Sequence, residues 1–228
     1  LRCAEAEVGR LMDVQGKKVT VVGMGRTSLA LVRLLLREGA EPFVTEQSTD
    51  LKTMPYQDEL KSLGVPFECG GHSFAAFENA AFVIPSPGVP PGIQPIRHAL
   101  YEGAALMGEM EFAFRFCPSK ILAVTGTNGK TTTTELLRHL VESCGHSVLL
   151  AGNNDMPFSA AVMHSPAPEY IVLEVSSYQL ETAWLFRPWI GAVLNVTPDH
   201  LERHKTISQY ASIKAKLFAR QVQGDVAV

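Results

Sequence analysis

A chain of 228 residues, 46% apolar and 19% charged, has the balance of an ordinary globular protein with material for about one or two packed cores. Its formal net charge of −3 gives no electrostatic reason to expect a nucleic acid or an anionic membrane as partner. Cys3, Cys69, Cys117 and Cys144 show no C-x-x-C pair or metal-ligand spacing and read as reduced thiols of a cytoplasmic protein, and no apolar run is long enough to span a bilayer.

The first five residues, Leu1-Arg2-Cys3-Ala4-Glu5, carry acids early and no apolar signal core. No initiator Met is present and Val228 falls inside an apolar run, so both ends read as cut. Lys18-Val19-Thr20-Val21-Val22 reads as a buried strand, followed by a helix over 27–37 that Gly39 stops, then a strand over 42–45. A strand over 80–84 ends in the turn Pro85-Ser86-Pro87-Gly88-Val89-Pro90-Pro91-Gly92. Helices over 96–102 and 108–116 lead to Cys117-Pro118-Ser119.

There the alternation restarts, which predicts a domain boundary near Pro118 and two domains, 1–117 and 118–228. Residues 120–125 form a strand, and 130–143 a helix with Leu136, Leu137, Leu140 and Val141 on one side and Gly145 as its stop. Strands follow over 147–150, 170–175 and 191–196, and a helix over 207–220. Short apolar runs alternating with amphipathic helices predict an α/β fold: a Rossmann-like domain, then a truncated P-loop-type domain on a parallel sheet.

Thr125-Gly126-Thr127-Asn128-Gly129-Lys130-Thr131 lies between a strand and a helix. Glycines in that position let backbone N–H groups curl around a polyphosphate, and the helix N-terminus adds its positive dipole end. Lys130 is then placed for the β- and γ-phosphates and the Thr131 hydroxyl for Mg²⁺. The general phosphate loop has a glycine where this chain has Val124, so this is a shortened form; a glycine-rich helix start is the plain structural alternative.

Ligands of open α/β sheets sit beyond the carboxyl ends of the strands. Glu174 ends the strand over 170–175, where a carboxylate among apolar neighbours is costly without a cation. Mg²⁺ bridged to ATP is the natural partner, a solvated strand-end acid the alternative. Asp199 and His200 follow the strand over 191–196 directly, whereas His204 reads as a surface or satisfied core residue. Lys214 and Lys216, judged by pattern alone, read as solvated helix residues.

Together these strings resemble the Mur ligase family, which joins an amino acid to a UDP-linked carboxylate through an acyl phosphate. Thr125 to Thr131 is shared with folate polyglutamate ligases; Leu173-Glu174-Val175-Ser176-Ser177-Tyr178-Gln179-Leu180-Glu181 resembles the branch that adds D-glutamate. Leu194 to His204, and Gln209-Tyr210 with Lys214, also resemble family strings. The resemblance implies that Thr127, Asn128, Gly129, Lys130, Thr131, Thr132 and Thr133 bind ATP, with Lys130, His200 and Lys214 as catalytic residues. It implies Mg²⁺ on Thr131 and Glu174, and a second on His200 and a carbamylated Lys214. Asn153, Ser176 and Gln179 are implied to contact the muramoyl-alanine end of UDP-N-acetylmuramoyl-L-alanine.

Gly23-Met24-Gly25-Arg26-Thr27-Ser28 resembles a dinucleotide fingerprint with Ser28 in place of the third glycine, and Glu46 lies about 20 residues on, as an NAD site requires. The family resemblance instead gives this domain to UDP, with Arg26 and Thr27 at the pyrophosphate, Glu46 at the uracil, and Ser86, Pro87 and Gly88 closing the pocket. Two positions depart from the family: Glu46 stands where Asp is usual, and Asn154-Asp155 where Ile-Gly is. The expected partners are UDP-N-acetylmuramoyl-L-alanine, D-glutamate and ATP, with no nucleic acid, membrane insertion or obligate protein partner. Family members carry a third domain, so this chain alone is expected to lack ligase activity, and an unfinished sheet to favour self-association. The alternatives are a folate-type polyglutamate ligase, an NAD-dependent oxidoreductase, and a UDP-sugar-binding module without catalysis.

Overall fold

The computed structural model describes residues 12–153 and 156–228, excepting the side chain of Leu201, and the chain divides into two compact units, Leu1–Phe116 and Cys117–Val228. In the first unit, β1 (Lys18–Val22) is the middle of a five-stranded parallel sheet. Val19, Val21 and Val22 are buried, as a strand covered on both faces requires. Helix α1 (Arg26–Arg37) packs Leu31, Val32, Leu34 and Leu35 inward, and Gly39 at φ +76° turns the chain into β2 (Glu41–Glu46). The remaining elements are α2 (Met54–Ser62), β3 (Phe67–Cys69), α3 (Phe74–Phe77), β4 (Phe82–Pro85), α4 (Gln94–Tyr101), β5 (Ala105–Leu106) and α5 (Glu109–Arg115).

The strand order β3-β2-β1-β4-β5 grows from β1 in both directions, so the crossover direction reverses between β1 and β4. At such a switch point the connecting loops part and leave a crevice at the strands' carboxyl ends. Gly23, Glu46 and Ser86 all lie there, directly after β1, at the end of β2 and directly after β4. Pattern reading missed β3 and β5, which are three and two residues long and too short for a period of two to register.

The second unit repeats the plan with β6 (Lys120–Thr125), α6 (Lys130–Ser143), β7 (Val148–Gly152), α7 (Phe158–Val162), β8 (Tyr170–Glu174), α8 (Ser177–Glu181), β9 (Ile190–Val193), α9 (Leu201–His204), α10 (Ile207–Ala215) and β10 (Val226–Ala227). All pairs are parallel, in the order β10-β9-β6-β8-β7. The register sets Val124 and Gly152 opposite Glu174, and Thr125 opposite Val193, so the functional strings leave the sheet at one level.

Four expectations are corrected. The strands predicted to run to 175 and 196 end at Glu174 and Val193, because the segment after each passes at once into a hydrogen-bonded loop. The helix predicted over 207–220 ends at Ala215 and tightens into a 3₁₀ turn, Lys216–Phe218. The apolar side of α6 is only partly inward: Leu136 and Leu140 are exposed, since α6 meets the sheet through Thr134, Leu137 and Val141. Neither lysine predicted as solvated is so. Lys214 is 1% exposed and Lys216 donates to the Glu181 carbonyl at 2.8 Å. Among the described residues no helix is long and apolar enough to cross a membrane.

Candidate functional site

The turn between β6 and α6 is built around two glycines. Gly129 has φ +85°, a left-handed conformation that side chains resist. At Gly126 a Cβ would meet the Leu194 Cβ at 3.1 Å and the Asn128 carbonyl at 3.4 Å. The N-cap residue Gly129 has no side chain to bond the start of α6, which suits the N–H groups of its first turn to a ligand at the positive end of the helix dipole. Lys130 curls back over the turn, its Nζ donating to the carbonyls of Gly126 (3.1 Å) and Thr127 (2.9 Å). Thr132 and Thr133 lie on the same first turn, Thr132 exposed and Thr133 half-buried.

Glu174 is 3% exposed, and its oxygens accept from the Thr131 hydroxyl at 2.8 Å and the Asn153 amide at 3.1 Å. Both donors are neutral, and no cationic side chain among the described residues pairs with it. A buried carboxylate left with neutral donors, one of them the Thr131 hydroxyl at the start of α6, is a hard-oxygen pair suited to a divalent cation. The Asn153 backbone N–H also donates to the Glu174 carbonyl at 2.9 Å, while Asn154 and Asp155 lie outside the described residues. Gly152, at φ +110°, is required by that approach, since a Cβ would sit 2.1 Å from the Glu174 carbonyl oxygen.

Ser176 and Gln179 start α8 as a reciprocal cap. The Ser176 Oγ accepts from the Gln179 N–H, and the Ser176 N–H donates to the Gln179 Oε1 at 2.9 Å. That cap uses the Gln179 carbonyl and leaves its amide nitrogen outside the box. His204, predicted as a surface or core residue, is core: it is 2% exposed and shares a 2.9 Å hydrogen bond with the Ser177 hydroxyl.

Lys214 reaches back from α10 to the same turn, its Nζ 2.9 Å from the Gly126 carbonyl, 3.3 Å from the Thr125 hydroxyl and 4.5 Å from the Tyr210 ring centre. Burial, and then the neighbouring Lys130 ammonium, push its pKa down to about 8. Two ammonium groups therefore share one carbonyl oxygen, with no carboxylate among the described residues bonded to either, a concentration of positive charge beside a glycine-rich turn. His200 is held at φ +52°, 5.1 Å from the Tyr178 ring and 6.5 Å from the Tyr210 ring, with Asp199 and Glu202 within ion-pair distance. His200 and Lys214 thus flank Tyr210, and among the described residues no three His, Cys, Asp or Glu side chains gather as a metal site. Thr131 and Glu174 fit a magnesium ion. Lys214 as an ammonium does not, and would do so only after gaining a carboxylate.

In the first unit, Gly23, Met24, Gly25, Arg26, Thr27, Ser28, Glu46, Ser86 and Pro87 line one open cleft of about 340 Å³. Gly23 has φ +101° and a Cβ there would lie 2.6 Å from the Ser86 hydroxyl. Ser28, at the position of the usual third glycine, fits because its hydroxyl lies 3.2 Å from that of Ser86. The Glu46 carboxylate accepts from the backbone N–H of Met24 (2.6 Å) and of Ser48 (2.8 Å), so it braces the loop after β1, whereas the family resemblance places it at the uracil. Gly88 lies in the turn after β4 with Ser86 and Pro87. Residues that pattern reading left without a role are Asn195, whose side chain binds the phosphate loop, and Tyr210, packed between Lys214 and His204. Both lie inside recognisable strings, yet nothing in their spacing points inward.

Comparison with known proteins matches residues 17–108 to the Mur ligase MurD-like N-terminal domain and residues 124–228 to the Mur ligase middle domain. The UDP-N-acetylmuramoylalanine–D-glutamate ligase of Pelotomaculum thermopropionicum is 44% identical over 218 residues, 96% of this chain and 48% of the relative. That of Desulfovibrio desulfuricans is 42% identical over 224 residues, 96% of this chain and 51% of the relative. The chain spans about half the length of the curated relatives it matches. Among solved structures, the UDP-N-acetylmuramate:L-alanyl-gamma-D-glutamyl-meso-diaminopimelate ligase of Neisseria meningitides aligns with TM-score 0.62 at 16% identity, over 93% of this chain and 70% of that one, which shows likeness of fold. Two consecutive family domains, matched in the order and at the positions where the two parallel sheets lie, mean that this chain belongs to the Mur ligase family.

Proposed function

We propose that the chain supplies the UDP-binding and ATP-binding parts of a ligase that adds D-glutamate to UDP-N-acetylmuramoyl-L-alanine, a step of peptidoglycan precursor synthesis. The observation that carries this reading is the Thr131–Glu174 contact at 2.8 Å beside Lys130, two hard oxygens and a cation at one glycine-rich turn. ATP and UDP-N-acetylmuramoyl-L-alanine are its ligands here, and the cytoplasm its place of action. The D-glutamate branch is supported by the Ser176-Ser177-Tyr178-Gln179-Leu180-Glu181 string and by the relatives' names. The same string argues against a folate-type substrate.

On this reading the substrate carboxylate attacks the γ-phosphorus, the bond to the bridging oxygen breaks, and ADP leaves an acyl phosphate. The D-glutamate amine then attacks the acyl carbon, and the tetrahedral intermediate expels inorganic phosphate and a proton. Lys130 leaves the Gly126 and Thr127 carbonyls and neutralises the transferred phosphoryl oxygens, while the first-turn N–H groups of α6 orient the chain of phosphates. Mg²⁺ held by Thr131 and Glu174 would offset charge on those oxygens. Asn153 fixes the Glu174 carboxylate. Arg26, Thr27 and the loop braced by Glu46 take the UDP pyrophosphate, with Ser86, Pro87 and Gly88 beside it. A pKa near 8 leaves part of Lys214 as free amine at neutral pH, the form that adds carbon dioxide; the resulting carbamate would join His200 as an oxygen ligand.

Separate calorimetric titrations of the chain with Mg-ATP, UDP-N-acetylmuramoyl-L-alanine and NAD test this. Binding of the first two and not of NAD is expected. NAD binding in their place would establish the oxidoreductase alternative, and UDP-sugar binding alone the non-catalytic module. No D-glutamate-dependent ADP release is expected from the 228 residues alone.

A further inference from the structure

We infer that Asn195 and Thr127 are positioning residues that clamp the phosphate loop to the segment after β9, presetting the loop before nucleotide arrives. The inference rests on the nucleotide reading above and adds to it a pair of residues and a division of labour within the loop.

The Asn195 side chain makes three hydrogen bonds to two residues of the turn. Its Oδ1 accepts from the N–H groups of Thr127 (3.1 Å) and Asn128 (3.0 Å), and its Nδ2 donates to the Asn128 carbonyl (3.0 Å). Its backbone carbonyl also accepts from the Thr127 N–H at 3.1 Å. Thr127 answers with its side chain: the hydroxyl accepts from the Thr197 N–H (3.0 Å), donates to the Thr197 carbonyl (3.3 Å) and lies 3.5 Å from the Tyr210 hydroxyl. One joint therefore ties the loop to the segment that runs on to Asp199 and His200.

The chemistry explains the residue types. A turn containing two glycines loses much conformational freedom when fixed, and a nest of N–H groups serves an anion well only if it is set in advance. Asparagine alone offers an acceptor and a donor on one short planar group; aspartate would keep the acceptor and lose the donor to Asn128. Thr127 has its N–H and its hydroxyl both turned toward the β9 segment. Phosphate is then left to Gly129 and the first turn of α6 rather than to Thr127 and Asn128, with Lys130 beside them.

The test combines amide hydrogen exchange on the nucleotide-free chain with calorimetric titration by Mg-ATP. In Asn195→Ala the Asn128 amide should exchange about tenfold faster and ATP affinity should fall about tenfold, the effect of losing one to two net hydrogen bonds. Thr127→Val should speed exchange at Thr197, and Thr127→Ser should restore it. Asn195→Asp should keep the Thr127 and Asn128 amides protected, and Thr127→Val carries the test if Asn195→Ala does not fold. Unchanged exchange at Asn128 and Thr197 in the Ala and Val variants would overturn the clamp, as would a loss of affinity in Thr127→Val with the Thr197 amide still protected, which marks a direct phosphate ligand. If the unsubstituted chain binds no ATP, the nucleotide reading fails, while the exchange rates still decide the clamp.

Discussion

Replacing Gly152 by alanine tests whether the meeting of β7 and β8 sets the position of Glu174. The added Cβ would stand 2.1 Å from the Glu174 carbonyl oxygen and 3.0 Å from its carbonyl carbon and nitrogen, all backbone atoms. Contact distance requires the strands to part by about 1 Å or more at this pair, which no side-chain rotation can supply. Overpacking of that kind costs roughly 1–3 kcal/mol, and the φ of +110° adds left-handed strain of roughly 1–2 kcal/mol. Gly145→Ala is the matched control, with φ +87° and open space around the new methyl. Both tryptophans, Trp184 and Trp189, lie in the second unit, so their emission during urea unfolding reports on it alone. Gly152→Ala should be less stable than Gly145→Ala by roughly 1–3 kcal/mol, and should lose Mg-ATP affinity as Glu174 leaves Thr131. Equal stability of the two variants, within about 0.5 kcal/mol, would refute the steric argument.

Lys214→Met removes a buried ammonium that, among the described residues, bonds to a carbonyl and a hydroxyl. A folded pKa of about 8 against 10.5 means the folded state holds this proton less tightly, so the penalty is full below pH 8 and relieved as pH rises toward 10.5. The variant should therefore be more stable by roughly 1–3 kcal/mol at pH 7 and lack the gain in stability the parent shows above pH 8, as chemical unfolding across that range would reveal. Carbon-13 carbon dioxide should give one slowly exchanging carbamate resonance in the parent and none in this variant; the same resonance in both would reject Lys214 as the modified residue. Glu174→Gln keeps acceptor and donor atoms near Thr131 and Asn153 but removes the charge. Magnesium should then strengthen ATP binding far less than in the parent, and an unchanged magnesium dependence in calorimetry would remove Glu174 from the metal site.

The amino-acid sequence by itself determined the two βα repeats, the break between them and the glycine-rich turn that joins β6 to α6. Valine-rich strands, a glycine turn and a lysine-threonine helix start are local signals, fixed by backbone sterics and hydrogen bonding within a few residues. The strings around Glu174 and His200 in the second unit, and around Glu46 in the first, were legible as lying at or after strand ends, so their place at the carboxyl edge of their own sheet followed once parallel order was assumed. Lys214 was not legible. A lysine on a short helix reads as solvated, and only the packing of α10 against the loop, with Tyr210 beneath, buries it against Gly126. Nor was the brace that Glu46 gives to Met24, or the double use of Asn195, because a hydrogen bond between residues 22 or 67 positions apart has no periodicity to betray it. Local chemistry chose the elements; the parallel register and the crossing of loops at the strand ends decided which side chains meet, since those contacts exist only after the sheet has closed distances the chain leaves open.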